Sequence, residues 1–154
     1  MKTHIERMVA AMRWADERVV GALANCLAAQ EEALPLVSHL LAAEHVWLAR
    51  LERRAAVRPV WPALMFADCE ALAAENAAGY AAYLDRLSDD GLAEVIQYQN
   101  SQGVEFATSV VDILTHVVIH GAYHRGQIAK ALGRAGTQAV NTDYNTYVRT
   151  VDQQ

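Results

Sequence analysis

The chain has 154 residues, of which 53% are hydrophobic and 20% charged, so it is long enough to bury a core without disulfides and too apolar to be disordered. Thirteen Lys and Arg against 18 Asp and Glu leave a net charge of −5, which disfavours a phosphate-tracking surface for nucleic acid. Two cysteines, Cys26 and Cys69, stand far apart, which excludes a disulfide scaffold or a Cys-rich zinc site and favours a reducing compartment. No apolar run reaches the roughly 18 residues of a membrane span, and the N-terminus lacks the apolar stretch of a signal peptide. The expected setting is the cytoplasm, with no nucleic-acid or membrane partner.

Alanine, the best helix former, is abundant, and the only prolines are Pro35, Pro59 and Pro62. No repeat, linker or boundary divides the chain, so a single domain over 1–154 is expected. The first helix is predicted over Lys2–Ala29. Thr3 and Glu6 have the spacing of a capping box, and Ile5, Met8, Val9, Met12, Ala15, Val19, Leu23 and Leu27 share one face. The second is predicted to start between Glu32 and Leu36, with Pro35 in its first turn, and to end before Pro59. Leu36, Leu40, Ala43, Trp47 and Leu51 make its inner stripe, and Arg50, Arg53, Arg54 and Arg58 crowd its C-terminal end, where cations oppose the helix dipole.

A third helix is predicted over Asp68–Leu87, ended by Ser88-Asp89-Asp90-Gly91. In Leu92–Ala107 the β-formers Val95, Ile96, Tyr98, Val104 and Phe106 flank the turn signal Asn100-Ser101-Gln102-Gly103, which reads as a short hairpin. The fourth helix should begin at Thr108 or Ser109, with Ser109 and Asp112 repeating the capping spacing, and reach Arg134 before Gly136. Thr142-Asp143 can cap a short fifth helix through Val148. The sum is an all-α fold, a four-helix bundle with a β-hairpin between helices 3 and 4 and a small C-terminal helix. Gly121 and Gly126 sit inside helix 4, each at about 1 kcal/mol relative to Ala, which suggests close approach of a neighbouring helix.

Six histidines occur, and His116, His120 and His124 fall at four-residue intervals on helix 4. Such steps place each about 40° from the last and one turn along, a single stripe that starts at Asp112. A buried imidazole needs partners for both ring nitrogens, and a metal supplies one by accepting a lone pair. Two His one turn apart can reach one ion, with a third ligand from another helix. On helix 2, His39 and His45 point about 120° apart. His39 shares the apolar face with Leu36, Ala43 and Trp47. His45, among Glu44, Glu52 and the arginines, reads as solvated, and His4 carries no role. The competing reading of the stripe is a polar core network with Asp112 and tyrosines.

The segments His39-Leu40-Leu41-Ala42-Ala43-Glu44-His45-Val46-Trp47-Leu48 and His116-Val117-Val118-Ile119-His120-Gly121-Ala122-Tyr123-His124-Arg125-Gly126-Gln127 resemble the DinB-like metalloprotein family. Met12-Arg13-Trp14-Ala15-Asp16-Glu17-Arg18 is similar to that family's first-helix signature, and the resemblance spans nearly the whole chain. It implies a four-helix bundle with three His ligands for one divalent metal, carried over here onto His39, His120 and His124, with His116 not a ligand. It also implies a homodimer, and for some relatives thiol-dependent transfer or isomerisation with a low-molecular-weight thiol.

Three neutral imidazoles leave the metal's charge uncompensated and at least one position free, the arrangement of a catalytic zinc site. A water there loses its proton near pH 7, and a thiol does so readily. Zinc and nickel suit imidazole best, and iron is compatible. Asp112, His116, Glu44 and Gln127 are candidates to orient the ligands, Tyr123 or Tyr98 to donate to a developing anion, and Trp14, Trp47 and Trp61 to line the mouth of a pocket for a small substrate. The expected function is a metal-dependent thiol transferase or hydrolase of small substrates. The alternatives are a non-catalytic metal-binding stress-response dimer with a structural ion, and a metal-free bundle for an apolar ligand.

Overall fold

A computed structural model describes residues 1–154 apart from Ser101, Ala139, Asp152 and Gln154. Five α-helices are found among the described residues: α1 (Lys2–Ala24), α2 (Leu27–Leu51), α3 (Phe66–Arg86), α4 (Val110–Arg134) and the short α5 (Tyr144–Val151). A 3-10 turn (Asp90–Ala93) and an antiparallel hairpin of β1 (Val95–Gln99) and β2 (Glu105–Ser109) lie between α3 and α4. The first four helices pack against one another, α4 against α1 and α2, and α3 against the same two. This is the all-α bundle with inserted hairpin and terminal helix read from the sequence. None of the described helices is long and apolar enough to cross a membrane.

Helix boundaries differ most between α1 and α2. The first helix stops at Ala24, five residues short of the expected end, because Asn25 closes it. The Asn25 amide donates to the Gly21 carbonyl at 2.8 Å, satisfying one acceptor that the helix end leaves free. Leu27, assigned to the stripe of the first helix, is 78% exposed and instead opens α2. Pro35 therefore lies in the interior of α2 and not in its first turn. An interior proline costs about 3 kcal/mol or more. Burial of Ala29, Ala33 and Val37, all 2% exposed or less, holds the extra turns in the core.

The capping box expected at Thr3 and Glu6 does not form. The helix begins at Lys2 with Met1 as its cap, so Thr3 is already inside it, and Glu6 pairs with Lys2 at 3.4 Å. Helix α3 starts two residues early at Phe66, where the Asp68 carboxylate accepts from the Met65 N–H at 3.3 Å, and α5 runs past Val148 to Val151.

The hairpin pairs Val95 with Ser109 through to Gln99 with Glu105. Asn100 Oδ1 accepts from the N–H groups of Gln102 and Val104, both at 2.9 Å, and Gly103 takes the left-handed conformation that closes the turn (φ 77°). Ser101, part of the predicted turn, lies outside the described residues. Ser109 ends β2 and caps α4 by accepting from the Asp112 N–H at 3.2 Å, while its hydroxyl donates to the Asp112 carboxylate.

Two apolar clusters fill the bundle. One holds Ile5, Val9, Met12, Leu48, Tyr80 and Val117, and the other Val19, Leu41, Leu72 and Ile128. Along each helix a polar residue falls between them: Asp16 on α1, Glu44 on α2, Asn76 on α3 and Arg125 on α4, each no more than 4% exposed. At Gly79 α3 packs tightly on α2, since a Cβ there would overlap the Leu48 side chain.

Candidate metal centre

His39 on α2 and His120 and His124 on α4 converge, with one ring nitrogen from each lying within 4.8 Å of the others. The four-residue step on α4 brings the Nε2 atoms of His120 and His124 to 3.1 Å. In a tetrahedral shell, two nitrogens about 2.0–2.1 Å from one zinc ion stand roughly 3.4 Å apart, so this pair is already spaced for a shared cation.

The ring orientations are fixed from outside. His39 Nδ1–H donates to the Val60 carbonyl at 2.9 Å, and His124 Nδ1–H donates to the Gln127 side-chain oxygen at 2.9 Å. Both bonds leave Nε2 as the nitrogen with a free lone pair, the form a metal needs. Trp61 stacks on His39 with ring centroids 3.5 Å apart and planes 8° from parallel. The segment carrying Val60 and Trp61 is tied to α2 by Ser38, whose hydroxyl donates to the Pro62 carbonyl at 2.6 Å.

The electrostatics agree with a ligand role. Burial lowers the pKa of His39 and, with the neighbouring His124, His39 and His116 rings, lowers that of His120 to about 4. These two rings are therefore neutral at pH 7, and neutral imidazole is the metal-binding form.

Of the residues expected around the ligands, Gln127 touches one. Replacing Gln127 with Leu is expected to weaken metal binding about 10–100-fold with little change in the helix content, as measured by competition with a chromophoric chelator.

Tyr123 meets His124 edge-on at 5.1 Å but is 65% exposed. Asp112 is used by the α4 cap, and Tyr98 is engaged with the Thr108 hydroxyl at 3.2 Å and with Arg50 above its ring. His116 packs on Trp47 and on the His120 ring and is not part of the converging group. Trp61 is at the site, Trp47 packs on His116 and Tyr98, and Trp14 packs on Tyr147 of α5.

Two expectations on α2 are corrected. His45 is not solvated but 1% exposed, its Nδ1 3.6 Å from a carboxylate oxygen of Glu75 on α3. Glu44 does not face the imidazoles. It belongs to a polar hub that sequence reasoning missed. There Arg125 Nη1 donates to Asp16 Oδ1 at 2.7 Å, the Asn76 amide donates to the Leu41 carbonyl at 2.8 Å, and the Tyr80 hydroxyl donates to the Glu44 carbonyl at 2.8 Å. The available signal was charge at positions whose helical neighbours are apolar, at Asp16 and Arg125 above all. Gly121 belongs here too. A Cβ at that position would stand 2.7 Å from Arg125 Nη1, so the glycine makes room for a side chain of its own helix and not for a neighbouring helix, while Gly126 has nothing near it.

Asp16 and Glu44 line the same small cavity, where burial and mutual repulsion disfavour two negative charges. Burial raises Asp16 to about 6 against the pull of Arg125, and burial together with the Asp16 charge raises Glu44 well above the carboxylate range. Folding thus raises both values, so the folded chain keeps protons the unfolded chain has released, and this contribution falls as the pH climbs through about 6 and beyond. Glu44→Gln needs no proton. Its melting temperature is expected to gain on the parent's between about pH 5 and pH 8, and a constant difference would show that Glu44 holds none.

The model of the DinB family matches residues 1–154, and the chain belongs to that family. It is similar to the protein named Protein DinB of Bacillus subtilis (strain 168), with 42% identity over 57 residues. That match spans 37% of this chain and 33% of the relative, about a third of its length. No solved structure matches.

Proposed function

We propose that the protein is a metal-dependent enzyme that transfers or adds a small thiol, or hydrolyses a small substrate, with His39, His120 and His124 as ligands. The observation that carries this reading is the convergence of three imidazoles from two helices with no carboxylate among them. A divalent ion there would keep its full charge and a free position, and would supply a nucleophile at neutral pH by lowering the pKa of a thiol or water. Zinc and nickel suit this donor set best, and iron is compatible with it. Val60 and Gln127 hold two of the rings with Nε2 free, so ordering the ligands costs little when the ion binds.

Elemental analysis of protein purified without a His-tag tests the site, and turnover of thiol plus electrophile tests the reaction. Rates that are equal for the metal-loaded parent and His120→Ala would reject metal catalysis of that reaction.

A second reading, a non-catalytic metal-binding dimer active in stress response, is favoured by one observation. Asp112 and Glu44, the carboxylates expected to act beside the ligands, are both engaged elsewhere. On that reading the ion chiefly ties α2 to α4, and chelation should remove a large part of the thermal stability while no thiol turns over. The partner would be a second copy of the chain, which sedimentation at several concentrations would reveal.

A further inference from the structure

Between α1, α2 and α3 the bundle encloses a cavity that gives the centre of a water molecule about 10 Å³ to move in. Arg13, Asp16, Glu44, Ala73, Asn76 and Ala77 are among its walls. Three polar atoms of these residues are buried without a hydrogen-bond partner: Asn76 Oδ1, Glu44 Oε1 and Arg13 Nε. Asn76 is 3% exposed and Glu44 2%, so bulk water does not reach them. The Asn76 amide cannot be turned round to relieve its oxygen, because its nitrogen already donates to the Leu41 carbonyl at 2.8 Å. A proton on Glu44 can supply one donor, but Asn76 Oδ1 still lacks one and Arg13 Nε–H still lacks an acceptor.

We propose that this cavity is a built site for one internal water molecule, which donates to Asn76 Oδ1 and the Glu44 carboxyl and accepts from Arg13 Nε–H. A buried polar group left unpaired is costly, and internal waters typically make about three hydrogen bonds to such groups. A single molecule that both donates and accepts is what two acceptors and one donor require. A bare cation is the wrong occupant, since Arg13 lines the cavity, the Asp16 carboxylate is already held by Arg125, and Glu17, a further carboxylate of the wall, is solvent-exposed. The water joins three helices where the Arg125–Asp16 pair joins the fourth, and it completes the one polar layer between the two apolar clusters.

The test is nuclear Overhauser spectroscopy between water and protein on the full-length, nitrogen-15-labelled chain. Cross-peaks from water to the Asn76 side-chain amide protons, with the sign of a long-lived bound molecule, are expected. Their absence, with the Asn76 amide assigned and protected from exchange, overturns the proposal. Ala77→Val fills the cavity and is expected to abolish these cross-peaks while the backbone spectrum stays folded. Cross-peaks that persist in a folded Ala77→Val chain overturn the placement. If that variant does not fold, the measurement on the parent chain decides alone.

Discussion

Arg125→Met is expected to lower stability by about 3–5 kcal/mol, the usual cost of removing one member of a buried ion pair. In a domain of this size each kcal/mol shifts the melting temperature by roughly 2–4 °C, so a fall on the order of 10 °C should appear in a calorimetric scan. The argument rests on what is left behind. Asp16 is 4% exposed and loses the cation paired with it, while Glu44 beside it is equally shut off from water. The charge on Asp16 then has no compensation, and its carboxyl is driven to hold a proton of its own. The triple substitution Asp16→Leu, Glu44→Gln, Arg125→Met removes the charges together and should recover most of the loss, because a well-packed apolar replacement of a buried pair is often neutral or stabilising. A single Arg125→Met chain as stable as the parent would show that the pair is not closed off from solvent.

His120→Ala is expected to weaken divalent-metal binding by more than the 10–100-fold typical of losing an outer hydrogen-bond partner. The Nε2 atoms of His120 and His124 stand 3.1 Å apart, and the substitution leaves His124 without that neighbour. The pH dependence has a definite sign. Ligand protons compete with the ion, so affinity falls as pH falls. Because burial has lowered His39, and has lowered His120 to about 4, their competition sets in below the ordinary imidazole value of about 6.5. Binding by the parent should therefore hold between pH 8 and about pH 6.5 and weaken markedly toward pH 4. Affinity that stays constant down to pH 4 would contradict an all-imidazole site.

The fold was legible because its helices are long and their apolar residues recur at helical spacing, and because Asn100 and Gly103 mark the hairpin turn. The link between α1 and α2 was not. Leu27 continues the spacing of the first helix, and nothing local shows that an Asn25 amide bonded to the Gly21 carbonyl outweighs it. Pro35 misled for a related reason: local chemistry places a proline at a helix start, but the burial of Ala29 and Ala33 is a tertiary effect. At the site, the His39 face assignment followed from helical angles, while the choice of His120 and His124 over His116 needed the family resemblance. His45 failed because a charged sequence neighbourhood says little about which helix lies on top. The Val60 carbonyl was out of reach, since any residue can offer one.

Trp61 gives the centre a reporter that no label has to supply. Its indole lies flat on the ring of His39, and the other two tryptophans, Trp14 and Trp47, pack elsewhere. An open-shell ion such as nickel seated on that imidazole should quench the emission of this one indole, whereas closed-shell zinc should leave it bright. Zinc could thus be told apart from an open-shell occupant by fluorescence, at concentrations far below those of a calorimeter.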